Sequence, residues 1–339
     1  KIADPFARAI AGEGDFEGAL ARFGHGFQRA YLLALLQELS ESGTDTGPTL
    51  LLACEEPELY QHPPQARHLY NVLLKLATQN AQILVSTHSP YFVSGHQFES
   101  IRLVRKADGA SGVQSTTACQ VMHQITRVGR RATPHLSGAL AKIHQALQPV
   151  LSEMFFAPNI IFVEGLEDVA YITTYMALLD RWEDYRRLGC HLIPVDGKSE
   201  MIQPLAIANC LDIPAFAIFD ADDHEERPDR RHQHEQDNLA ILRLCGVSNP
   251  EAFPTTTLWG DCCVAWPSEI AKVVGHEIGD EEWKRVRAKA DDEFGYTRGL
   301  QKNVLHIARS LEIAWDAGGR SASLQKLCET ILAFAQKHP

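Results

Sequence analysis

Two patterns in the second half of the chain place carboxylates where metal-assisted chemistry would use them. The apolar run Asn159-Ile160-Ile161-Phe162-Val163 ends in Glu164-Gly165, with Asp168 four positions beyond Glu164. A second run, Ala215-Phe216-Ala217-Ile218-Phe219, ends in Asp220-Ala221-Asp222-Asp223. If a helix starts at Gly165 or Leu166, Glu164 stands at its beginning and Asp168 one turn along, so both can face one site. Alternate residues of an extended strand end point the same way, which pairs Asp220 with Asp222. Such hard oxygen donors suit Mg²⁺ or Mn²⁺ rather than zinc, and four of them together would repel one another without a cation. Two divalent ions about 4 Å apart can activate water and stabilise a leaving oxygen in phosphodiester cleavage. A solvated acidic loop is the competing account, strongest for Asp222-Asp223 alone.

The first half carries a different constellation. Leu50-Leu51-Leu52-Ala53-Cys54 delivers Glu55-Glu56-Pro57-Glu58 into a turn, and a later run ends in Ser86-Thr87-His88-Ser89-Pro90. In phosphoryl transfer one strand-final carboxylate holds the Mg²⁺ shell and the next polarises water, while a histidine on the neighbouring strand end reaches the γ-phosphate. No GxxxxGK[ST] stretch is present to cradle phosphates.

Both constellations need strands that stop at one edge of a sheet. The pattern predicts a helix over 28–39, a loop over 40–47, a buried strand over 49–54, a helix over 64–78 and a strand over 82–86. An antiparallel pair, 100–105 with 112–117 around Asp108-Gly109, and a long helix over 136–156 follow. After it the chain reads strand (159–163), helix (166–179), strand (191–195), helix (201–211), strand (215–219). Such a βαβαβ run implies parallel strands with right-handed crossovers, and chemistry beyond their carboxyl ends. The fold class expected is therefore α/β, in two domains, 1–157 and 158–339. Residues 220–237 read as a polar loop in which His224, His232 and His234 mix with Arg227, Arg230 and Arg231; metal ligation or phosphate contact competes there with a solvated loop, and if the loop orders on DNA its arginines would position the backbone without reading bases.

The 339 residues carry a net charge of −11, an ordinary argument against a nucleic-acid partner. The charge is unevenly placed: 13 acidic and 13 basic residues up to Ala157, then 30 and 19, so the second half holds the whole excess. No apolar stretch approaches the roughly 20 residues of a membrane span, and no signal follows Lys1. Eight cysteines without a CxxC pair fit a reduced, cytoplasmic protein. No Gly-x-Ser-x-Gly elbow is present, and Tyr171, Tyr175, Tyr185 and Tyr296 lie in no context that marks a nucleophile.

The first constellation resembles the ABC-type ATPases of the recombination and repair class. There Glu55 stands at the Mg-coordinating Asp of the Walker B strand, Glu56 at the catalytic glutamate and His88 at the switch histidine. Phe23-Gly24-His25-Gly26-Phe27-Gln28-Arg29 is similar to a degenerate signature motif, with Gly24 and Gly26 as its glycines. The resemblance implies a chain that begins partway through the ATPase, binding ATP only as part of a longer protein.

The second constellation resembles the Toprim domain, through Glu164-Gly165, the turn Val195-Asp196-Gly197-Lys198 and Asp220-Ala221-Asp222. A Toprim domain behind such an ATPase resembles the OLD (overcoming lysogenisation defect) family of nucleases. That resemblance implies Glu164, Asp168, Asp220 and Asp222 as ligands of two divalent ions, Mg²⁺ or Mn²⁺, with Glu164 also the general base. After an expected strand over 255–259, it implies Ser268 and Glu269 as second-metal ligands, Asp261 competing, and Lys302 as the lysine facing the scissile phosphate, with Lys326 the runner-up. DNA as substrate, a homodimer of the full-length protein, a helicase partner, and a role in phage defence or DNA repair are implied too. A Toprim topoisomerase or primase-like enzyme, or a non-catalytic ATP-dependent DNA clamp, are the alternatives.

Overall fold

A computed structural model describes residues 10–13, 16–41, 50–78, 81–107, 109–130, 135–295 and 300–338. Residues 42–49, Asp108 and Tyr296, on which parts of the expected loop, strand and hairpin and one tyrosine fall, lie outside these. The chain divides into two compact units, Lys1–Phe92 and Val93–Pro339.

In the first unit a hairpin of β1 (Ile10–Glu13) and β2 (Phe16–Ala19) precedes α1 (His25–Glu41). Strands β3 (Leu50–Glu55) and β4 (Ala81–Ser86) pair in parallel, joined through α2 (Pro63–Ala77). Helix α2 opens on proline, which lacks an N–H that the first turn would leave unbonded. Leu69, Leu73 and Leu76, three to four residues apart, form one buried stripe against Leu52, Ile83 and Val85. The expectation of a fully buried strand is corrected here: β3 alternates, with Leu51 74% exposed and Leu84 of β4 70% exposed on the other face.

The second unit begins with the hairpin β5 (Leu103–Ala107) and β6 (Ala110–Gln114), then α3 (Ala118–Arg127) and α4 (Leu136–Ala146). The single long helix expected over 136–156 is broken. Pro149, whose ring cannot continue a helix from α4, opens a separate short α5 (Pro149–Ser152). Residues 93–155 share one core with the strands that follow, so the compact boundary falls at 92/93, whereas the sequence division at 157 follows motif type.

The main sheet contains β7 (Asn159–Val163), β8 (Cys190–Pro194), β9 (Ala215–Asp220), β10 (Leu258–Trp259) and β11 (Cys263–Trp266), in the order β10-β11-β9-β7-β8. All neighbours are parallel except β10 with β11. Between the strands run α6 (Leu166–Leu178), α7 (Trp182–Arg187), α8 (Lys198–Cys210) and α9 (Pro228–Leu244); α10 (Ile270–Ile278), α11 (Asp280–Glu293), α12 (Val304–Asp316) and α13 (Ala322–Gln336) complete the unit. Successive side chains of a strand face opposite ways, and both faces are covered. Ile160 and Phe162 enter a core with Leu205 of α8 and Ile241 of α9. Ile161 and Val163 enter another with Ile172 of α6 and Leu311 of α12.

Two further corrections concern the region after β9. The expected polar loop 220–237 becomes helical at Pro228, again a proline in the first turn, so His232 and His234 ride on α9. The expected strand 255–259 shrinks to Leu258–Trp259, and the apolar run Cys263–Trp266 is the strand beside β9. Among the described residues no helix is long and apolar enough to cross a membrane. All eight cysteines are free thiols.

Candidate functional site: a carboxylate cluster at the sheet switch point

From β7 the chain leaves to β8 on one side and then crosses to β9 on the other. The carboxyl ends of β7 and β9 therefore flank a crevice, the place where open α/β sheets hold ligands. Glu164 follows β7 directly, and its Oε1 accepts the Asp220 N–H at 2.7 Å across that crevice. Asp168, in the first turn of α6, accepts the Gly165 N–H at 2.9 Å, tying off a donor that a helix start leaves free. Past Asp220 the chain stays bound to the end of β11, Ala221 N–H donating to Trp266 O at 2.7 Å. Asp222 adopts a left-handed φ of 55°.

A lysine stands among these acids. Lys198 is the first residue of α8, after Gly197 at φ 111°. Its Nζ donates to Asp220 O at 2.6 Å and to Asp222 Oδ2 at 2.8 Å, and its side chain is 4% exposed. His234 Nδ1 lies 3.3 Å from the same Asp222 oxygen. A cleft of about 310 Å³ lined by Asp222, His224, Glu225, Glu226, Arg227 and His234 opens beside it.

Burial pushes the Glu164 carboxyl up to about 7; the Asp220 N–H and Lys198 oppose this, and Asp168 and Asp222 add to it. Burial likewise raises Asp168 to about 6, against the Gly165 N–H and with Glu167. Asp220 is raised well above the usual range by burial and then by Glu164, Asp168 and Asp222. Carboxylates so disfavoured as anions gain from a cation, and an all-oxygen donor set fits a hard divalent ion in chemistry. Among the described residues no three His, Cys, Asp or Glu groups are gathered as a ready-made cage. The bonds of Glu164, Asp168 and Asp222 just described direct those oxygens to protein donors instead.

In the first unit Glu55 ends β3 opposite Ser86, and Glu56, at φ 40°, donates its N–H to Ser86 O at 2.9 Å. His88 Nε2 lies 3.7 Å from Glu56 Oε1. Arg29 Nη1 donates to Glu56 O at 2.6 Å and to Leu59 O at 3.1 Å, joining α1 to the turn after β3. Glu58 accepts from the Thr87 hydroxyl and from His88 N–H at 3.2 Å. Gly26 O accepts from Gln61 Nε2 at 3.3 Å; Gly24, at the start of α1, is exposed. Sequence reasoning gave Arg29 and Glu58 no role, yet Arg29 ties α1 to the turn after β3, and Glu58 ties that turn to the segment after β4.

Residues 155–222 match the family described as Overcoming lysogenization defect protein-like, TOPRIM domain, and residues 3–93 match the AAA ATPase domain. Over residues 155–222 the chain is thus similar to an OLD-like Toprim domain. A protein named OLD nuclease from Thermus scotoductus is 27% identical over 64% of this chain and 39% of its own length. The Old nuclease of Escherichia phage P2 is 24% identical over 82% of this chain and 47% of its own. Endonuclease GajA of Bacillus cereus is 26% identical over 54% of this chain and 27% of its own. The chain spans less than half the length of each.

Around the Toprim crevice the later candidates separate by strand direction. Because β11 runs parallel to β9 with Trp266 opposite Asp220, Ser268 and Glu269 leave the sheet at the carboxylate end. Glu269 Oε1 is 3.5 Å from Lys272 Nζ. Asp261 precedes β11, at the opposite end, and pairs with Lys337 at 3.5 Å. Lys302 Nζ is 3.0 Å from Glu167 Oε1; that pair raises its pKa against burial, and Glu269 and then Asp220 add to the rise. Lys326 instead lies 4.3 Å over the Trp259 ring.

Sequence reasoning missed Glu167, read Lys198 only as part of the glycine turn, and weighed His234 only within a polar loop. Lys198 had a signal: a cation in the first turn of a helix opposes the helix dipole and asks for a partner. Arg227 is paired with Glu225 at 3.2 Å, and Arg231 bonds Asp223 O and stacks on Phe253 at 4.2 Å. Tyr171, Tyr175 and Tyr185 are buried.

Proposed function

We propose that this chain is the cleaving portion of a divalent-metal-dependent DNA endonuclease, with the segment to residue 157 derived from its ATPase and 158–339 forming the Toprim part. One observation carries the reading: the Glu164–Asp220 bond across the switch point gathers the acids that end two separate strands, beside Lys302. Glu164, Asp168, Asp220 and Asp222 form the acidic wall in which Mg²⁺ or Mn²⁺ would be held, with Ser268 and Glu269 next to it for a second ion. When bound, the metal supplies an activated water and neutralises charge on the phosphodiester.

Glu164 is the base that accepts the proton of the attacking water at a carboxylate oxygen. Lys302, on an exposed side chain, faces the charge developing on the scissile phosphate, and Glu167 holds it at the rim until then. Tyr171, Tyr175 and Tyr185 are buried, so these three offer no accessible phenol for strand passage. ATP would bind only in the longer protein, through Glu55, Glu56, His88 and the segment with Gly24 and Gly26. Dimerisation of that protein and action beside a helicase in defence or repair belong to the same proposal.

Supercoiled plasmid incubated with Mg²⁺, Mn²⁺ or EDTA, without ATP, tests it. Nicked and linear products that disappear in EDTA and in Asp220→Ala support the nuclease. Relaxed closed topoisomers would point to strand passage, and retarded but uncut plasmid to a clamp.

A further inference from the structure

The acidic crevice already contains one positive charge. Removing an ammonium from water costs several kcal/mol unless it is paired and hydrogen-bonded. Lys198 is buried, and it sits at the end of α8 where the helix dipole repels a cation. What holds it there is the Asp220-Ala221-Asp222 segment, through one backbone carbonyl and one carboxylate oxygen. The contact at 2.8 Å takes the Asp222 oxygen that would otherwise face a metal, and His234 Nδ1 flanks the same atom. On the other wall Glu164 and Asp168 bond only to backbone N–H groups, which an incoming ion can replace.

We propose that Lys198 is a tethered counter-ion that takes the place of one of the two cations. The crevice then accepts a single divalent ion, on the Glu164, Asp168 and Asp220 side. The inference rests on the metal-dependent reading above and departs from it in one respect: the Lys198 ammonium, and not a second ion beside Ser268 and Glu269, balances Asp222. A divalent ion in contact with Asp222 would stand within a few ångströms of a buried ammonium, and the repulsion between them is weakly screened there. Lys198 also fixes the left-handed turn at Asp222, so it is a positioning residue rather than a catalytic one.

The test is a Mn²⁺ titration of the whole chain, with free Mn²⁺ followed by electron paramagnetic resonance. Asp220→Ala serves to subtract ions bound elsewhere. Wild type is expected to bind one Asp220-dependent ion per chain, Lys198→Arg also one, and Lys198→Met two, with folding of each checked by circular dichroism. Two such ions in wild type overturn the proposal while leaving the metal-dependent reading intact, and this count needs no variant at Lys198. One ion in a folded Lys198→Met overturns it as well. No Asp220-dependent ion in wild type or either Lys198 variant defeats the metal reading itself, and the proposal with it.

Discussion

The two units each end apolar strands in acids, yet the acids live in different surroundings. Beyond β3 and β4, Glu56 and His88 lie near the surface, the His88 side chain 83% exposed, beside a sheet whose second face shows Leu51 and Leu84 to solvent. Beyond β7 and β9, Glu164, Asp168 and Asp220 are enclosed by a sheet covered on both faces, and their carboxyls are pushed upward by burial. One strand-end pattern therefore gives two kinds of site. An exposed acid is available to whatever approaches, whereas an enclosed one needs an internal cation or an arriving ion to become an anion. The second site has its internal cation, Lys198; the first has Arg29, which bonds backbone carbonyls instead.

This contrast is sharpened first by Glu164→Gln, expected to lower metal-dependent plasmid nicking about 10²- to 10⁴-fold if Glu164 is the base. A rate within threefold of wild type would break the enclosed site as a catalytic centre. Next in size is Phe162→Ala, expected to cost about 3–5 kcal/mol in urea unfolding, since Phe162 is fully buried in β7. Lys302→Ala should slow nicking by about 10²-fold with little change in the urea midpoint, because its side chain is 80% exposed; Lys326→Ala should not match it. Smallest is Leu51→Ser, expected to change stability by no more than about 0.5 kcal/mol. A loss there as large as that of Phe162→Ala would erase the distinction between the two sheets.

Much of the second site is legible along the chain. Apolar runs that stop in Glu164 and in Asp220-Ala221-Asp222 give both strand direction and the edge at which chemistry gathers. The partners of Lys198 and Glu167 and the placement of Ser268 are not legible in the same way, because each depends on which elements become neighbours. Only when β9 lies next to β11 does Pro267-Ser268 fall beside Asp222-Asp223, and nothing local to Cys263–Trp266 names its neighbour. Helix boundaries failed at prolines read in one sense only. Pro149 interrupts a helical pattern, whereas Pro228 starts a helix inside a polar stretch whose charges resemble a loop. The alternation of β3 was hidden because Leu51 is as apolar as its neighbours although it faces outward.

The five residues of β7 act as a ruler for the crevice at their end. Ile160 and Phe162 belong to one core, Ile161 and Val163 to the other, so the strand is read in a frame of two. Deleting one residue before Val163 would exchange the occupants of both cores unless the strand were extended from the Pro158 side. It would also rotate Glu164 away from the Asp220 N–H. Length, and not only composition, is thus under constraint here: the distance from Asn159 to Glu164 sets the phase of the acid as firmly as its chemistry sets the charge.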